Sequence, residues 1–594
     1  MDKFEKRQVY GPWNPGLRST IPSNIRPFST LLRFENVDTP LLEADELASF
    51  SGLRAEKIVK LKPERLVVHE LLVRVTANFS VPHGSDYQHL GKNFRKVVKK
   101  IFKHYIEPIM GEIVQAYDDM DTRMNAQIHD ELMASLFKPS HSNSANKDGF
   151  LSWLRFSSKK YQQHSPQPDK VAEEKEFLRN WQEKEKEAEE YETQIIYQTL
   201  IAVITSIQSV HGIIWGDLSL IASLVNNISC NIYGSKLVGD IIEPLTKEAA
   251  KRECLRLVSV QEKPIIMNTK GASASGKSTL LPLQKILADE LGVDWNDFAL
   301  ISPDIWRKFL LDYDSLGDAY KYAGALTGDE IALIDQKLDA YMSRKGEDGR
   351  MSHLLIDRFR FDSFAPISDD AAGSTLLTRF GKEVYLFFMI TPPEETVERA
   401  WKRGEEVGRY KAVDDLLYHN VEAFTGMPRL FFTWALKMDK SVHYEFLDNN
   451  VPLGERPKTV AFGVNGVMTI LDVRKMLDVQ RYRKINLNGS TPTEVYPDPE
   501  KMSADRNTEF LQECARLIPS ITFADQATGR IYGKIERGQM KWTDGDILAS
   551  VIEDDDTKAG LETLAGSLPE DLAGQIRYLD ASNVSTLGQW GGGA

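Results

Sequence analysis

The chain has 594 residues, of which 42% are hydrophobic and 27% are charged, and this composition is typical of a globular protein with about two to four domains. The net charge of -13 argues against a protein whose whole surface binds nucleic acid. Three separated cysteines without a CxxC pair argue against a disulfide framework and favour a reducing compartment, the cytoplasm, and the opening "MDKFEKRQVYGPW" lacks the apolar core of a secretion signal.

Residues 1–244 are predicted to form a mainly helical N-terminal region. Within it, "GKNFRKVVKKIFKHYI" has helical periodicity. One face carries Phe94, Val97, Val98, Ile101, Phe102 and Tyr105, and the other carries Lys92, Arg95, Lys96, Lys99, Lys100 and Lys103. We interpret this stretch as a core helix with a solvated basic face; the alternative is a docking face for an acidic partner, RNA or anionic lipid.

Two later stretches of this region are also predicted to be helical. "EEKEFLRNWQEKEKEAEEYETQII" has apolar residues near heptad spacing, which predicts one long helix that packs on its own domain or on a protein partner or inhibitor. The most apolar long stretch, 195–232, is interrupted by polar residues. It predicts two buried helices joined near Gly212 to Asp217, and we expect no membrane span.

Residues 245–455 alternate short apolar runs with helical patterns, and the runs are "PIIMN", "FALI", "HLLID", "VYLFFMI" and "VHYEFL". This alternation predicts an α/β domain, with a parallel sheet covered by helices on both faces. Residues 456–594 are predicted to form a small mixed α+β region. "TVAFGVNGVMTILDV" and "GRIYGKIERGQMKW" suggest hairpins, "NTEFLQECARLI" and "GDILASVI" suggest helices, and the tail "TLGQWGGGA" is expected to be disordered.

A phosphate-binding loop is predicted where "GASASGKS" matches GxxxxGK[ST] between an apolar strand and a helix. Gly271 and Gly276 are expected to allow backbone angles that a side chain would forbid, so that the intervening amides can surround phosphates. Lys277 is expected to reach the β- and γ-phosphates, and Ser278 to bind Mg²⁺. The predicted nucleotide-binding residues are Gly271, Ser273, Ser275, Gly276, Lys277, Ser278, Thr279 and Arg403.

Acidic residues follow the next two predicted strands. Asp304 comes after "FALI", where a carboxylate can accept the proton of an attacking hydroxyl; the alternative is a helix N-cap. Asp357 ends "HLLID" and is a candidate Mg²⁺ ligand.

Arginines follow the fourth predicted strand. Arg399 and Arg403 share a helical face and Arg409 follows a glycine-containing turn, so they could neutralise a triphosphate; a solvated lid helix is the alternative.

These motifs together resemble the zeta toxin family of phosphate-loop kinases. The resemblance covers about 200 residues and rests on "GASASGKST", "SPDIWRK", "HLLIDR", the three arginines and "HYEFLDNN". It implies transfer of the ATP γ-phosphate to a hydroxyl of a nucleotide-linked substrate, typically UDP-N-acetylglucosamine and in some relatives the ribose of NAD. It also implies Asp304 as general base, Lys277 and Ser278 as ligands of phosphate and Mg²⁺, and Arg399 and Arg409 as phosphate clamps, with adenine contacts on the last strand.

The segment "DRFRFDSF" departs from the family pattern because it is bulky and basic. Arg358 and Arg360 either bind a phosphorylated substrate or pack inside the fold. The sequence thus predicts an ATP- and Mg²⁺-dependent kinase acting on a nucleotide-linked or other small anionic metabolite, with a biological role as a toxin or effector. A polynucleotide kinase and a non-catalytic ATP-binding scaffold are the alternatives, and nucleic acid is the less favoured partner.

Overall fold

The structure is a computed structural model, and it describes residues 10–84, 87–136, 168–214, 216–358, 377–452, 454–496, 498–569, 576–580 and 585–591. The chain forms two compact units. The first comprises residues 1–26, 72–101 and 248–594, and the second comprises residues 27–71 and 102–247. The second unit ends at residue 247, close to the predicted boundary at 244, and residues on both sides of 455 belong to the first unit.

The α-helices of the described residues are α1 Leu41–Ser51, α2 Ala55–Ile58, α3 Pro63–Asn78, α4 Tyr87–Ile101, α5 Met110–Ser135, α6 Pro168–Glu187, α7 Tyr191–His211, α8 Leu218–Arg252, α9 Leu281–Glu290, α10 Arg307–Leu310, α11 Ala323–Leu326, α12 Gly328–Glu347, α13 Pro393–Val407, α14 Val413–Ala435, α15 Val473–Arg481, α16 Pro499–Met502, α17 Glu509–Leu517, α18 Gly545–Val551 and α19 Asp555–Ala565. None of the helices within the described ranges is long and apolar enough to cross a membrane.

The described strands belong to one ten-stranded sheet in the first unit, and they are β1 Ile265–Lys270, β2 Phe298–Ile301, β3 His353–Asp357, β4 Glu383–Ile390, β5 Ser441–Asp448, β6 Lys458–Val464, β7 Val467–Ile470, β8 Ser520–Ala524, β9 Ile531–Glu536 and β10 Gln539–Trp542. Their order is β10-β9-β8-β7-β6-β5-β4-β1-β3-β2. Neighbours from β2 to β5 pair in parallel, whereas β5–β6, β6–β7, β8–β9 and β9–β10 pair antiparallel. The five strands predicted from apolar runs are confirmed.

Helices cover both faces of the parallel part of the sheet. On one face, Met267 and Phe387 pack with Leu281 of α9. On the other, Phe388 is 6.2 Å from the ring of Phe431 in α14. Burial on two faces explains why these strands read as continuous apolar runs in the sequence.

The C-terminal region continues the same sheet and is not a separate layer. Its two predicted hairpins form as β6–β7 and β9–β10, and α17 and α18 occupy the predicted helical segments. The expected disorder of the tail does not hold for residues 585–591. Leu587 is 2% exposed, and its N–H donates a hydrogen bond to Glu445 Oε2 at 2.7 Å. Gln589 forms an isolated parallel bridge with Lys458, the first residue of β6, which is an internal strand.

The second unit is helical in its described part. The segment predicted as one long helix is divided into α6 and α7, because Glu190 adopts an extended backbone conformation between them. The apolar seam still serves packing: Trp181 of α6 is fully buried, and its Nε1–H donates to Glu131 of α5 at 2.8 Å. The predicted helix pair around Gly212 is confirmed as α7 and α8, and Gly212 ends α7 with a φ of 76°.

Candidate active site

The predicted site residues gather at one edge of the sheet. Parallel pairing of β1 with β3 and β4, and of β2 with β3, brings the carboxyl ends of these strands together. The segment 271–276 follows β1, Asp304 follows β2 after two residues, and Asp357 ends β3. Open α/β sheets bind ligands at this edge.

The two glycines of the segment 271–276 are needed for different reasons. Gly276 has a φ of 93°, which side chains rarely adopt, so the expected backbone requirement holds there. Gly271 is not among the residues with positive φ; a Cβ there would instead lie 2.7 Å from Met389 Cβ. Close packing against β4, and not an unusual backbone angle, therefore requires glycine at the first position. Ala274 adds a further left-handed residue, with a φ of 63°.

Two buried side chains hold the segment from the ends of β4 and β5. Asn449 Nδ2 donates to the Ser275 carbonyl at 2.8 Å, and Thr391 Oγ1 donates to the same oxygen at 3.0 Å. Both side chains are buried. The sequence analysis missed these residues, because they lie more than 110 positions from the motif and belong to no recognisable pattern.

The remaining predicted binding residues of this segment lie as follows. Ser273 and Ser275 are buried, and the Ser275 hydroxyl has no hydrogen-bond partner among the described residues. Thr279 is exposed, and its hydroxyl donates to the Gly276 carbonyl at 2.7 Å. The Lys277 ammonium donates to the carbonyls of Gly271 at 3.1 Å and Ala272 at 2.9 Å. The Lys277 ammonium is therefore held by two backbone carbonyls at the start of the segment. A bound anion would compete with these carbonyls for the ammonium.

A small cavity is lined by Lys277, Ser278, Ser302 and Asp357 together with several apolar side chains. Its volume is about 20 Å³, which is room for roughly one water molecule. The Ser302 hydroxyl is buried without a hydrogen-bond partner among the described residues. The Ser278 hydroxyl and the Asp357 carboxylate, which both line this cavity, are oxygen donors of the kind that Mg²⁺ prefers, and Mg²⁺ needs only one or two protein ligands. Ser278 and Asp357 therefore fit the predicted Mg²⁺ site.

Asp304 lies in the short 3₁₀ helix Pro303–Trp306 but does not cap it, since Ser302 occupies the N-cap position. Its carboxylate accepts a hydrogen bond from Arg307 Nε at 2.9 Å and pairs with the Arg409 guanidinium. Burial alone would raise the pKa of Asp304, but Arg409 and Arg307 outweigh it and hold that pKa well below its usual range. Asp304 is consequently ionised at neutral pH, and the N-cap alternative is not supported.

The three predicted arginines occupy different surroundings. Arg409 pairs with Asp304. Arg403 has a buried Nε without a hydrogen-bond partner among the described residues, and burial together with Arg409 lowers its pKa. Arg399 donates to the Asn449 carbonyl at 2.7 Å and lies on the Gly276 side of the site. Arg403 and Arg409 thus cluster near Asp304, while Arg399 braces the loop that follows β5.

Desolvation lowers the pKa of Lys277, and the carboxylates of Asp357 and Asp304 oppose this shift. Both carboxylates therefore lie within electrostatic reach of the lysine. The structure adds two residues that the sequence analysis missed, Lys411 and His419, whose side chains contact each other. Burial lowers the pKa of Lys411 to about 8, and burial together with Lys411 lowers that of His419 to about 2. The histidine is therefore neutral at physiological pH.

Arg358, predicted as a substrate residue, does not reach this site. Its side chain is 4% exposed and forms ion pairs with Asp335 at 2.9 Å and Asp339 at 2.5 Å, both in α12. This placement favours the alternative that Arg358 packs inside the fold. Arg358 comes directly after β3, where two carboxylates of α12 are within reach of its guanidinium. The other predicted substrate arginine, Arg360, lies outside the described residues.

Comparison with known proteins yielded no matching family model, curated protein or solved structure.

Proposed function

We propose that this protein is an ATP- and Mg²⁺-dependent kinase that transfers the γ-phosphate to a hydroxyl of a nucleotide-linked or other small anionic metabolite. The observation that carries the proposal is the pairing of one ionised carboxylate, Asp304, with cations at the sheet edge where the segment 271–276 begins a helix. A site for phosphoryl transfer needs both: positive groups around the phosphates and a base for the acceptor.

In this proposal the nucleotide phosphates bind the backbone amides of the segment 271–276. Lys277 exchanges its two loop carbonyls for phosphate oxygens, and this exchange substitutes a charged acceptor for neutral ones. Ser278 and Asp357 would hold Mg²⁺, which would neutralise charge on the nucleotide phosphates. Arg399 and Arg403 complete the positive surroundings of the triphosphate.

The transfer step assigns separate roles to Asp304 and Arg409. Without nucleotide, Arg409 neutralises Asp304. A triphosphate is a stronger anion than Asp304 and would attract Arg409. When Arg409 moves to the triphosphate, one oxygen of the Asp304 carboxylate becomes available to the acceptor hydroxyl. The acceptor oxygen then forms a bond to the γ-phosphorus as the bond from that phosphorus to the β-bridging oxygen breaks. Asp304 receives the hydroxyl proton, and ADP leaves.

Mass spectrometry of a metabolite extract incubated with protein and ATP tests this function. The wild type should add a phosphate to one species and release ADP, and Lys277→Ala should abolish both. Asp304→Asn should retain binding of a non-hydrolysable ATP analogue but lose turnover by roughly a hundredfold or more. Lys285→Ala and Asp289→Asn, on the exposed side of α9, are matched controls and should behave as wild type.

Three outcomes would contradict the proposal. Wild-type turnover in Asp304→Asn would remove the assigned base. Nucleotide-dependent behaviour without any phosphorylated product would favour the ATP-binding scaffold, and product formed only on oligonucleotides would favour the polynucleotide kinase.

A further inference from the structure

An N-terminal segment, residues 10–19, contacts both α13 and α14 in the first unit. The Trp13 Nε1–H donates a hydrogen bond to Glu398 of α13 at 3.0 Å. The Ser19 hydroxyl donates to the carboxylate of Asp414 in the first turn of α14. Since these two helices follow each other in the chain, the N-terminal segment is attached on both sides of the turn that joins them.

The turn between α13 and α14 carries Arg409, which pairs with Asp304. The next residue, Tyr410, packs closely on α13. Its ring centroid is 5.4 Å from that of Trp401, and a Cβ on Gly404 would lie 2.3 Å from Tyr410 Cδ1. The position of the Tyr410 ring therefore fixes the backbone from which the Arg409 side chain extends.

Lys321 joins the N-terminal segment to this turn. Its ammonium lies 3.5 Å from the centroid of the Tyr10 ring and donates to the Pro15 carbonyl at 2.7 Å. The same ammonium is 5.6 Å from the centroid of the Tyr410 ring and 6.0 Å from that of Trp401. A cation is attracted to aromatic faces at these distances. One lysine thus contacts the segment and also the side chain next to Arg409.

Gly16 allows the N-terminal segment to pass close to this ammonium. Its φ of 77° lies in the left-handed region, and a Cβ there would lie 2.4 Å from the Tyr10 ring and 2.9 Å from Lys321 Nζ. Within the described ranges Lys321 forms no ion pair, and burial lowers its pKa. Replacing this lysine therefore removes the contact without leaving a carboxylate unpaired.

Helix α11, which follows Lys321 closely in the chain, contacts the surroundings of both members of the ion pair at the site. A Cβ on Gly324 would lie 3.5 Å from the Tyr410 carbonyl oxygen. The Gly324 carbonyl also accepts a hydrogen bond at 2.5 Å from Arg307, the second partner of Asp304. Movement of Lys321 would therefore disturb contacts on both sides of the pair.

We propose that the N-terminal segment positions Arg409, and that Lys321 is the positioning residue through which it acts. Tyr410, held by Lys321 and α13, fixes the turn so that the Arg409 guanidinium stays at Asp304 until a triphosphate binds. An arginine on a loosened turn must lose conformational freedom to form either contact, so both the pair and the transfer step weaken. The effect on turnover rests on the proposed kinase function, whereas the effect on the ion pair does not.

Urea unfolding of the full-length protein at neutral pH tests the positioning without any substrate. Arg409→Ala should lower the unfolding midpoint, and this shift should be reduced to roughly half or less in a Lys321→Met background. Lys321→Arg keeps a cation and a donor and should preserve the shift. Lys402→Met changes an exposed lysine of α13, so it is the matched control and should also preserve it. A lysine with only a general role in stability would lower the midpoint and leave the Arg409→Ala shift unchanged.

Tyr10→Ala is a second variant, for the case that Lys321→Met does not fold. It removes only the half-exposed ring over the ammonium and should reduce the Arg409→Ala shift in the same direction. Equal Arg409→Ala shifts in wild type, Lys321→Met and Tyr10→Ala would overturn the inference. So would the absence of any shift on Arg409→Ala in the otherwise wild-type chain.

Turnover distinguishes failure of this inference from failure of the kinase proposal. Lys321→Met should lower kcat roughly tenfold with the KM for ATP changed by less than about twofold, and it should have no further effect in an Arg409→Ala background. Lys321→Arg should keep most of the activity, and an unchanged kcat in Lys321→Met would overturn the inference. If the wild type forms no phosphorylated product, the kinase proposal fails, while the urea comparison still decides whether the N-terminal segment positions Arg409.

Discussion

Gly276 allows the geometry of the candidate phosphate-binding segment to be tested quantitatively. Its φ of 93° disfavours any side chain, and a Cβ would lie 2.2 Å from Asn449 Nδ2. Gly276→Ala therefore introduces two separate penalties: backbone strain, and displacement of the Asn449 amide from the Ser275 carbonyl.

The magnitudes of the two penalties follow from these contacts. A non-glycine residue in this backbone region costs about 1–3 kcal/mol. Loss of the Asn449 hydrogen bond costs about 1 kcal/mol, at the low end of the usual range, because Thr391 still donates to the Ser275 carbonyl. Gly276→Ala should therefore cost about 2–4 kcal/mol in total, and about 1–3 kcal/mol when Asn449→Ala has already removed the clash.

A double-mutant cycle measures the difference. The free energy of unfolding from urea titration, and the affinity for a non-hydrolysable ATP analogue, are measured for wild type, both single variants and the double variant. A loss of 2 kcal/mol expressed in binding corresponds to a roughly 30-fold weaker affinity. If Gly276→Ala lowers the unfolding and binding free energies equally with and without the Asn449 side chain, the contact between a Cβ at position 276 and Asn449 carries no penalty, and the reasoning is refuted.

Three further predictions concern charged groups of the same unit. Burial raises the pKa of Glu445 to about 7, so wild-type stability should fall as pH rises from about 4 through 7. In urea titrations, Glu445→Gln should flatten this dependence of the unfolding free energy on pH. The same pH dependence in wild type and variant would contradict the assignment. The ion pair with Arg409 lowers the pKa of Asp304 in the folded state below the unfolded-state value of about 3.9. The pair therefore stabilises the fold above about pH 4, and this stabilisation decreases as the pH falls through the folded pKa. The stability difference between wild type and Arg409→Ala should shrink on acidification below about pH 4, and a constant difference would argue against the pair. Arg358→Ala removes one cation that pairs with the buried Asp335, so it should cost roughly 3–5 kcal/mol of unfolding free energy and leave acceptor KM unchanged; a raised KM with intact stability would restore the predicted substrate role.

The parallel strands and the loop between β1 and the following helix could be predicted because their signals are local. A strand buried on both faces must be apolar at every position, so the runs from "PIIMN" to "VHYEFL" identified β1 to β5 without any knowledge of pairing. The GxxxxGKS spacing likewise lies within a single segment. Asp304 could be placed because a strand end in a parallel sheet has a known direction.

The parts of the site that could not be predicted depend on contacts between distant segments. No local pattern indicates that Asn449 anchors Ser275, 174 positions away, or that Arg409 pairs with Asp304, 105 positions away. The division of the long predicted helix at Glu190 was missed because charged, helix-favouring residues continue through the break. The tail was expected to be disordered on composition, yet Leu587 fills a gap in the core beside β5.

The sequence by itself determined which segments form strands and helices, because apolar periodicity and glycine spacing act over a few residues. Only the tertiary structure decided which charges meet. Electrostatic and hydrogen-bond energies depend on distances of a few ångströms between groups. The number of residues between two groups along the chain does not determine these distances, because the sheet order brings distant segments together. That is why helix α4, assigned from its sequence to an N-terminal helical region, packs on the 3₁₀ helix that carries Asp304.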